Sequence, residues 1–195
     1  MLAAFVFPYT GSAQTVGEPL PAWSPGVLDI HQICTGRGNA ALLVFPDGTS
    51  LQVDSGDGNP EPPTGANRVP DASRSAGEWI ARYARRMLSH QTDPVIDYGL
   101  ITHFHGDHMG GIGSGTPTEV GGAYQLSGFT DVASHTPIQT MLDRGWPDYA
   151  YPRPLNNLMM ENYRTFLEVE GARRGRCGPA PATARGATFR HSRTC

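Results

Sequence analysis

The chain has 195 residues, 38% hydrophobic and 17% charged, which suits one domain with a real core and is too short for two. Its 24 glycines and 17 prolines imply many loops, and no apolar run reaches the length of a transmembrane helix. All 18 acidic residues lie at or before Glu170 with nine of the 15 arginines, so that part carries −9, while six later arginines bring the net charge to −3.

Such an acidic body lacks the basic groove that nucleic-acid binding usually needs, although the basic end leaves nucleic acid or acidic lipid open as partners. There is no lysine, which reads as a coding bias. Cys34, Cys177 and Cys195 form an odd set without CxxC spacing, which excludes a zinc ribbon and argues against a disulfide framework. Cys34, in an apolar context, is expected to be a buried thiol.

The start, MLAAFVFPYTGSAQ, resembles a shortened export signal over residues 1–13. Leu2 to Phe7 is apolar, and Gly11-Ser12-Ala13 offers small residues before a cut at Gln14. No basic residue precedes it and the apolar run is short, so a cytosolic N-terminus stands as the alternative to a periplasmic or secreted location.

Residues 14–26 read as a Pro- and Gly-rich linker to a domain spanning 27–170. Val27 to Ile33 predicts a first strand and Gly36-Arg37-Gly38 a turn. Ala40 to Phe45, the hairpin turn Pro46-Asp47-Gly48 and Ser50 to Asp54 predict two more strands. Gly56 to Pro70 reads as a loop. Ser75 and Glu78 fit a capping box ahead of Trp79, Ile80, Tyr83, Ala84, Met87 and Leu88 at helical spacing, and Asp93-Pro94 ends that helix. Val95 to Thr102 predicts a strand. Beyond Gly113 the pattern suggests a strand at Tyr124–Gly128, a short helix at Pro137–Asp143 and a longer one at Leu155–Val169. Residues 171–195 lack acids and repeat Arg, Ala, Gly and Pro, which reads as a basic, disordered tail.

The chemistry concentrates in Thr102–Gly111, THFHGDHMGG. Side chains two apart in an extended segment face the same way, so His103 and His105 can grip one cation together. Asp107 and His108 follow the Gly106 bend and can turn to a second. Imidazole nitrogens suit zinc, and the carboxylate compensates charge.

At these residues the sequence resembles the metallo-β-lactamase-fold metallo-hydrolases, whose signature is HxHxDH at a strand end. The stretch GRGNAALLVFPDGTSLQVDSGDG, with Asp54-Ser55-Gly56 closing its hairpin, is similar within that superfamily to the lactamase-like domains of bacterial DNA-uptake (competence) proteins. The resemblance covers about residues 27–113. It implies an αββα sandwich with up to two zinc ions. His103 and His105 would hold the first, Asp107 and His108 the second, with Asp107 the catalytic carboxylate and Asp54 steadying the metal loop as a buried outer partner. It also implies a metal-bound hydroxide that attacks an ester, amide or phosphodiester.

Family members add a third His to the first metal, a bridging Asp and a last His from the second half of their fold. Here His135 is the one local candidate for a further ligand, and Asp131, Asp143 and Asp148 are undistinguished candidates for a bridge. His31 and His90 read as structural or solvated, and His191 lies inside the tail. The expectation is therefore the front half of such an enzyme, its reading frame slipping near Gly171, with apolar sheet faces left open. The alternative is a non-catalytic metal-binding or partner-binding fragment.

Overall fold

Three of the strands follow from alternation and turn chemistry. In the computed structural model, which describes residues 15–58 and 67–175, β1 (Asp29–Gln32), β2 (Ala40–Val44) and β3 (Ser50–Ser55) pair antiparallel in sequence order. Gly48, with φ of 86°, closes the β2–β3 turn in a conformation that favours glycine. The expected first strand is shorter than Val27–Ile33. Helix α1 (Ala76–Met87) then crosses over to β4 (Ile96–Leu100), which lies parallel to β3. A four-residue helix α2 (Gly106–Met109) and helix α3 (Phe129–His135) precede β5 (Ile138–Leu142), parallel to β4. Helix α4 (Leu158–Gly175) closes the described chain. The result is a mixed α/β domain with one five-stranded sheet, order β1-β2-β3-β4-β5, and four helices.

Helix α1 starts where Ser75 accepts the Glu78 amide at 3.0 Å. Only half of the expected capping box forms, because the Glu78 carboxylate turns to Arg74 and Arg82 instead. The inner stripe of α1 buries Ile80, Ala84, Met87 and Leu88 as the spacing predicts. Together with α3 it covers one face of the sheet, where Leu42, Val44, Gln52 and Met141 are buried. Phe104 and Tyr149 continue this core against Tyr163 and Phe166 of α4.

The opposite face is different. One row across the sheet is Ile30, Leu43, Leu51 and Tyr98; the next is Ala41, Val53, Leu100 and Leu142. All eight are exposed or only half-buried, and none belongs to or packs on the hydrophobic core.

Three expectations are corrected. Pro137–Asp143 is not a helix: Ile138–Leu142 forms edge strand β5, because pairing with β4 gives its backbone groups partners that a five-residue helix would leave free. Tyr124–Gly128 forms no strand; Gln125 makes a single bridge to Thr118, and the segment instead leads into α3. Cys34 is exposed, because the alternation continues past β1 and turns Ile33 and Thr35 inward.

Helix α4 runs on to Gly175, and Arg173 pairs with Glu170 and Glu119. The export-signal residues 1–13, most of the Gly56–Pro70 loop, and residues 176–195 with Cys177, His191 and Cys195 lie outside the described residues. No described helix is long and apolar enough to cross a membrane.

Candidate metal centre

Parallel β3 and β4 end side by side, and their carboxyl ends carry Asp54 and the His103–His108 loop, the usual position for a site in an α/β sheet. The loop is strapped down by backbone bonds. Asn39 N donates to Asp107 O at 2.8 Å, Asp57 N to Gly106 O at 3.2 Å, and Gly111 N to Asp57 O at 2.8 Å. The strapping demands glycine at two places: a Cβ on either Gly38 or Gly56 would overlap the Asp107 carbonyl.

Beneath the loop lies Asp54, fully buried and in the left-handed region at φ 54°. Its carboxylate accepts four hydrogen bonds: Thr102 N at 2.9 Å, Thr102 Oγ1 at 2.8 Å, Asn39 Nδ2 at 3.0 Å and His108 Nδ1 at 2.7 Å. Because His108 Nδ1 donates to this carboxylate, its Nε2 is left as the acceptor. That Nε2 lies 3.6 Å from Asp107 Oδ2. A carboxylate behind a histidine, fixing its tautomer, is what a metal-ligating imidazole needs.

Around Nε2 the structure gathers His103, Asp107 and His108, whose ligand atoms all lie within 4.8 Å of one another. The His103 and His108 rings are 3.8 Å apart between centroids. His105 stands outside this trio, exposed, with its ring 4.7 Å from that of His103. Two imidazoles and a carboxylate converge with only partial burial, so this donor set could hold a metal ion.

The remaining candidates go elsewhere. His135 ends α3, its Nε2 3.4 Å from Asp131 Oδ1, and neither is part of the trio. Burial holds the Asp131 carboxyl above its ordinary range, against the lowering effects of Ser75 and His135. Asp143 is a core carboxylate: it accepts Gly145 N, Trp146 N, and the Tyr149 and Tyr163 hydroxyls at 2.8–3.0 Å. Burial first, and then the Asp143 charge, push both phenols up and keep them protonated as donors. Asp148 accepts the Ala150 amide in an exposed turn. His31 bonds the Tyr83 hydroxyl at 3.1 Å, its pKa lowered by burial, and His90 packs on Trp23.

Two hollows flank the loop. One, of about 650 Å³, is walled by Asp57, Arg68, Gly111, Ser127 and Asp131; the other, of about 540 Å³, by Gly106, Ile112, Asn157 and Met159. Of the Gly56–Pro70 loop, Asp57 and Arg68 wall the first hollow. Met141–Trp146 serves packing around Asp143.

Sequence reasoning did not single out Asn39 and Thr102, which hold Asp54, and Gly38 was read only as a turn residue. Their partners are 15, 48 and 69 positions away, too far for any local pattern to reveal. No protein-family model matches the chain, and no curated protein or solved structure matches it either.

Proposed function

We propose that the chain is a zinc-dependent hydrolase of the metallo-β-lactamase superfamily, acting on an ester, amide or phosphodiester. Its sheet and helix layer would form one half of an αββα sandwich. The observation that carries this reading is the convergence of His103, Asp107 and His108 at a strand end, with Asp54 fixing the His108 ring from behind.

His103, Asp107 and His108 would hold the ion, with His105 beside them. When bound, zinc supplies Lewis acidity and a strongly acidified water. Asp54 keeps the proton of His108 on Nδ1 and so presents Nε2. The Asp107 side chain is 63% exposed, so one of its oxygens could face solvent or substrate while the other holds the ion. Neither hollow beside the loop is walled by His103, Asp107 or His108, so a substrate would reach the ion from the exposed Asp107 side. The resemblance to DNA-uptake domains keeps phosphodiesters in the substrate class, although the acidic body favours small ones.

The test is hydrolysis of a nitrophenyl ester, a chromogenic lactam and bis-nitrophenyl phosphate by the zinc-loaded chain. At least one should turn over, and Asp107→Asn should lower that rate by about 100-fold or more. Failure on all three classes contradicts the reading. A second reading, a non-catalytic metal-binding or partner-binding fragment, is favoured by one observation: among the described residues only three donors gather, and His135 is engaged with Asp131.

A further inference from the structure

We propose that Arg37 and Asp57 are positioning residues for the metal loop, a buried ion pair that fixes the one residue to which both ends of the Gly106–Gly111 turn are fastened. The proposal deepens the metal reading and rests on it. Asp57 N donates to Gly106 O at 3.2 Å, and Asp57 O accepts Gly111 N at 2.8 Å. A single residue therefore closes the turn that carries Asp107 and His108. A shift of Asp57 is passed on to two of the three members of the trio.

The backbone alone would hold Asp57 poorly. It lies beyond the end of β3, between Gly56 and Gly58, and glycine brings the most conformational freedom and no side chain to pack. The Asp57 carboxylate supplies the hold. Arg37 Nε donates to Asp57 Oδ1 at 3.3 Å, and Arg68 Nη2 stands 3.8 Å from Oδ2, so each oxygen faces a guanidinium. Arg37 also grips the next residue: its Nη2 donates to Gly58 O, and its carbonyl accepts Gly58 N at 2.7 Å. The Arg37 and Asp57 side chains are only 8% and 11% exposed. Taking two charges out of water is costly, and apolar residues of similar size often serve stability as well or better. What the pair adds is direction, because a planar fork with two fixed acceptors allows Asp57 one position.

The test compares the full chain with Arg37→Met, Asp57→Asn and the double variant. Exchange of the buried Gly111 amide is followed without metal, zinc affinity by chelator competition and stability by urea unfolding. Each single variant should speed Gly111 exchange and weaken zinc binding, both by about tenfold or more. The double variant should lose no more than the worse single, because the two side chains act together. Its stability should exceed that of Asp57→Asn, in which Arg37 is left buried without its partner. Stability that returns while the loop stays loose separates positioning from mere support. Should Asp57→Asn fail to fold, Arg37→Met, which leaves Arg68 beside Asp57, and the double variant carry the comparison. Gly111 exchange within about twofold of the parent, zinc affinity unchanged beside faster exchange, or losses that multiply in the double variant each overturn the proposal. A parent that binds no zinc removes the metal reading and the positioning role with it; a zinc-binding parent with unchanged exchange in the variants removes the positioning role alone.

Discussion

Asp54→Asn is the sharpest probe of how the metal loop is held. The side chains are the same size, and asparagine tolerates the positive φ at this position, so the backbone has no reason to move. The chemistry does change. Asp54 Oδ2 now accepts from Thr102 Oγ1, Asn39 Nδ2 and His108 Nδ1. If the amide nitrogen takes that place, donors face donors, and His108 must give up its Nδ1 proton and carry one on Nε2, which blocks the ligand atom. If the amide nitrogen takes the Oδ1 place, it meets the Thr102 amide instead. Either way at least one donor pair is opposed, at a cost of about 1–3 kcal/mol. Loss of such an outer partner typically lowers metal affinity by about 10- to 100-fold. Competition against a chromogenic chelator measures the affinity, and urea unfolding of the metal-free protein measures the stability. Zinc affinity within about twofold of the parent, with stability unchanged, would refute the argument that Asp54 sets the His108 tautomer.

Three further outcomes are expected. Gly56→Ala pushes a methyl into the Asp107 carbonyl and should cost about 1–3 kcal/mol in urea unfolding while weakening zinc binding; a silent substitution would show that the strap can yield. Ser75→Ala removes the cap of α1 and should cost about 1 kcal/mol with zinc binding unaffected. Asp131→Asn tests the buried carboxyl. Its pKa in the folded chain is raised, so its ionisation opposes folding as pH climbs from the unfolded value through the folded one, and it has no such effect below both. The variant should therefore gain stability over the parent as pH rises above the ordinary value of 3.8, read from urea midpoints. A gain that shrinks with rising pH would reverse the sign.

Local information made much of this fold legible. The Pro46-Asp47-Gly48 turn, the alternation of β2 and β3 and the helical stripe of α1 are all contiguous signals, and all three elements formed. The clustering of His103, Asp107 and His108 was legible for the same reason: these side chains sit within six positions at the end of an apolar strand. What failed was short or non-local. Helix α3 is seven residues with Thr130 and Val132, poor helix formers, and Gly128 at φ 56° in place of a capping side chain. Strand β5 alternates too weakly to declare itself; its pairing with β4 decides it. The role of Asp143 could not be read, because its partners Tyr149 and Tyr163 reach it only through packing. Cys34 was misjudged from its apolar neighbours, when alternation alone would have turned it outward.

The central claim is that His103, Asp107 and His108 form one metal site backed by Asp54. Zinc content after equilibrium dialysis of the full chain, beside His103→Ala and His108→Ala variants, addresses it directly. The account predicts at least one zinc per chain, lost in both variants while Ser75→Ala retains it. A chain that holds no zinc, or one whose zinc survives both histidine substitutions, would contradict it.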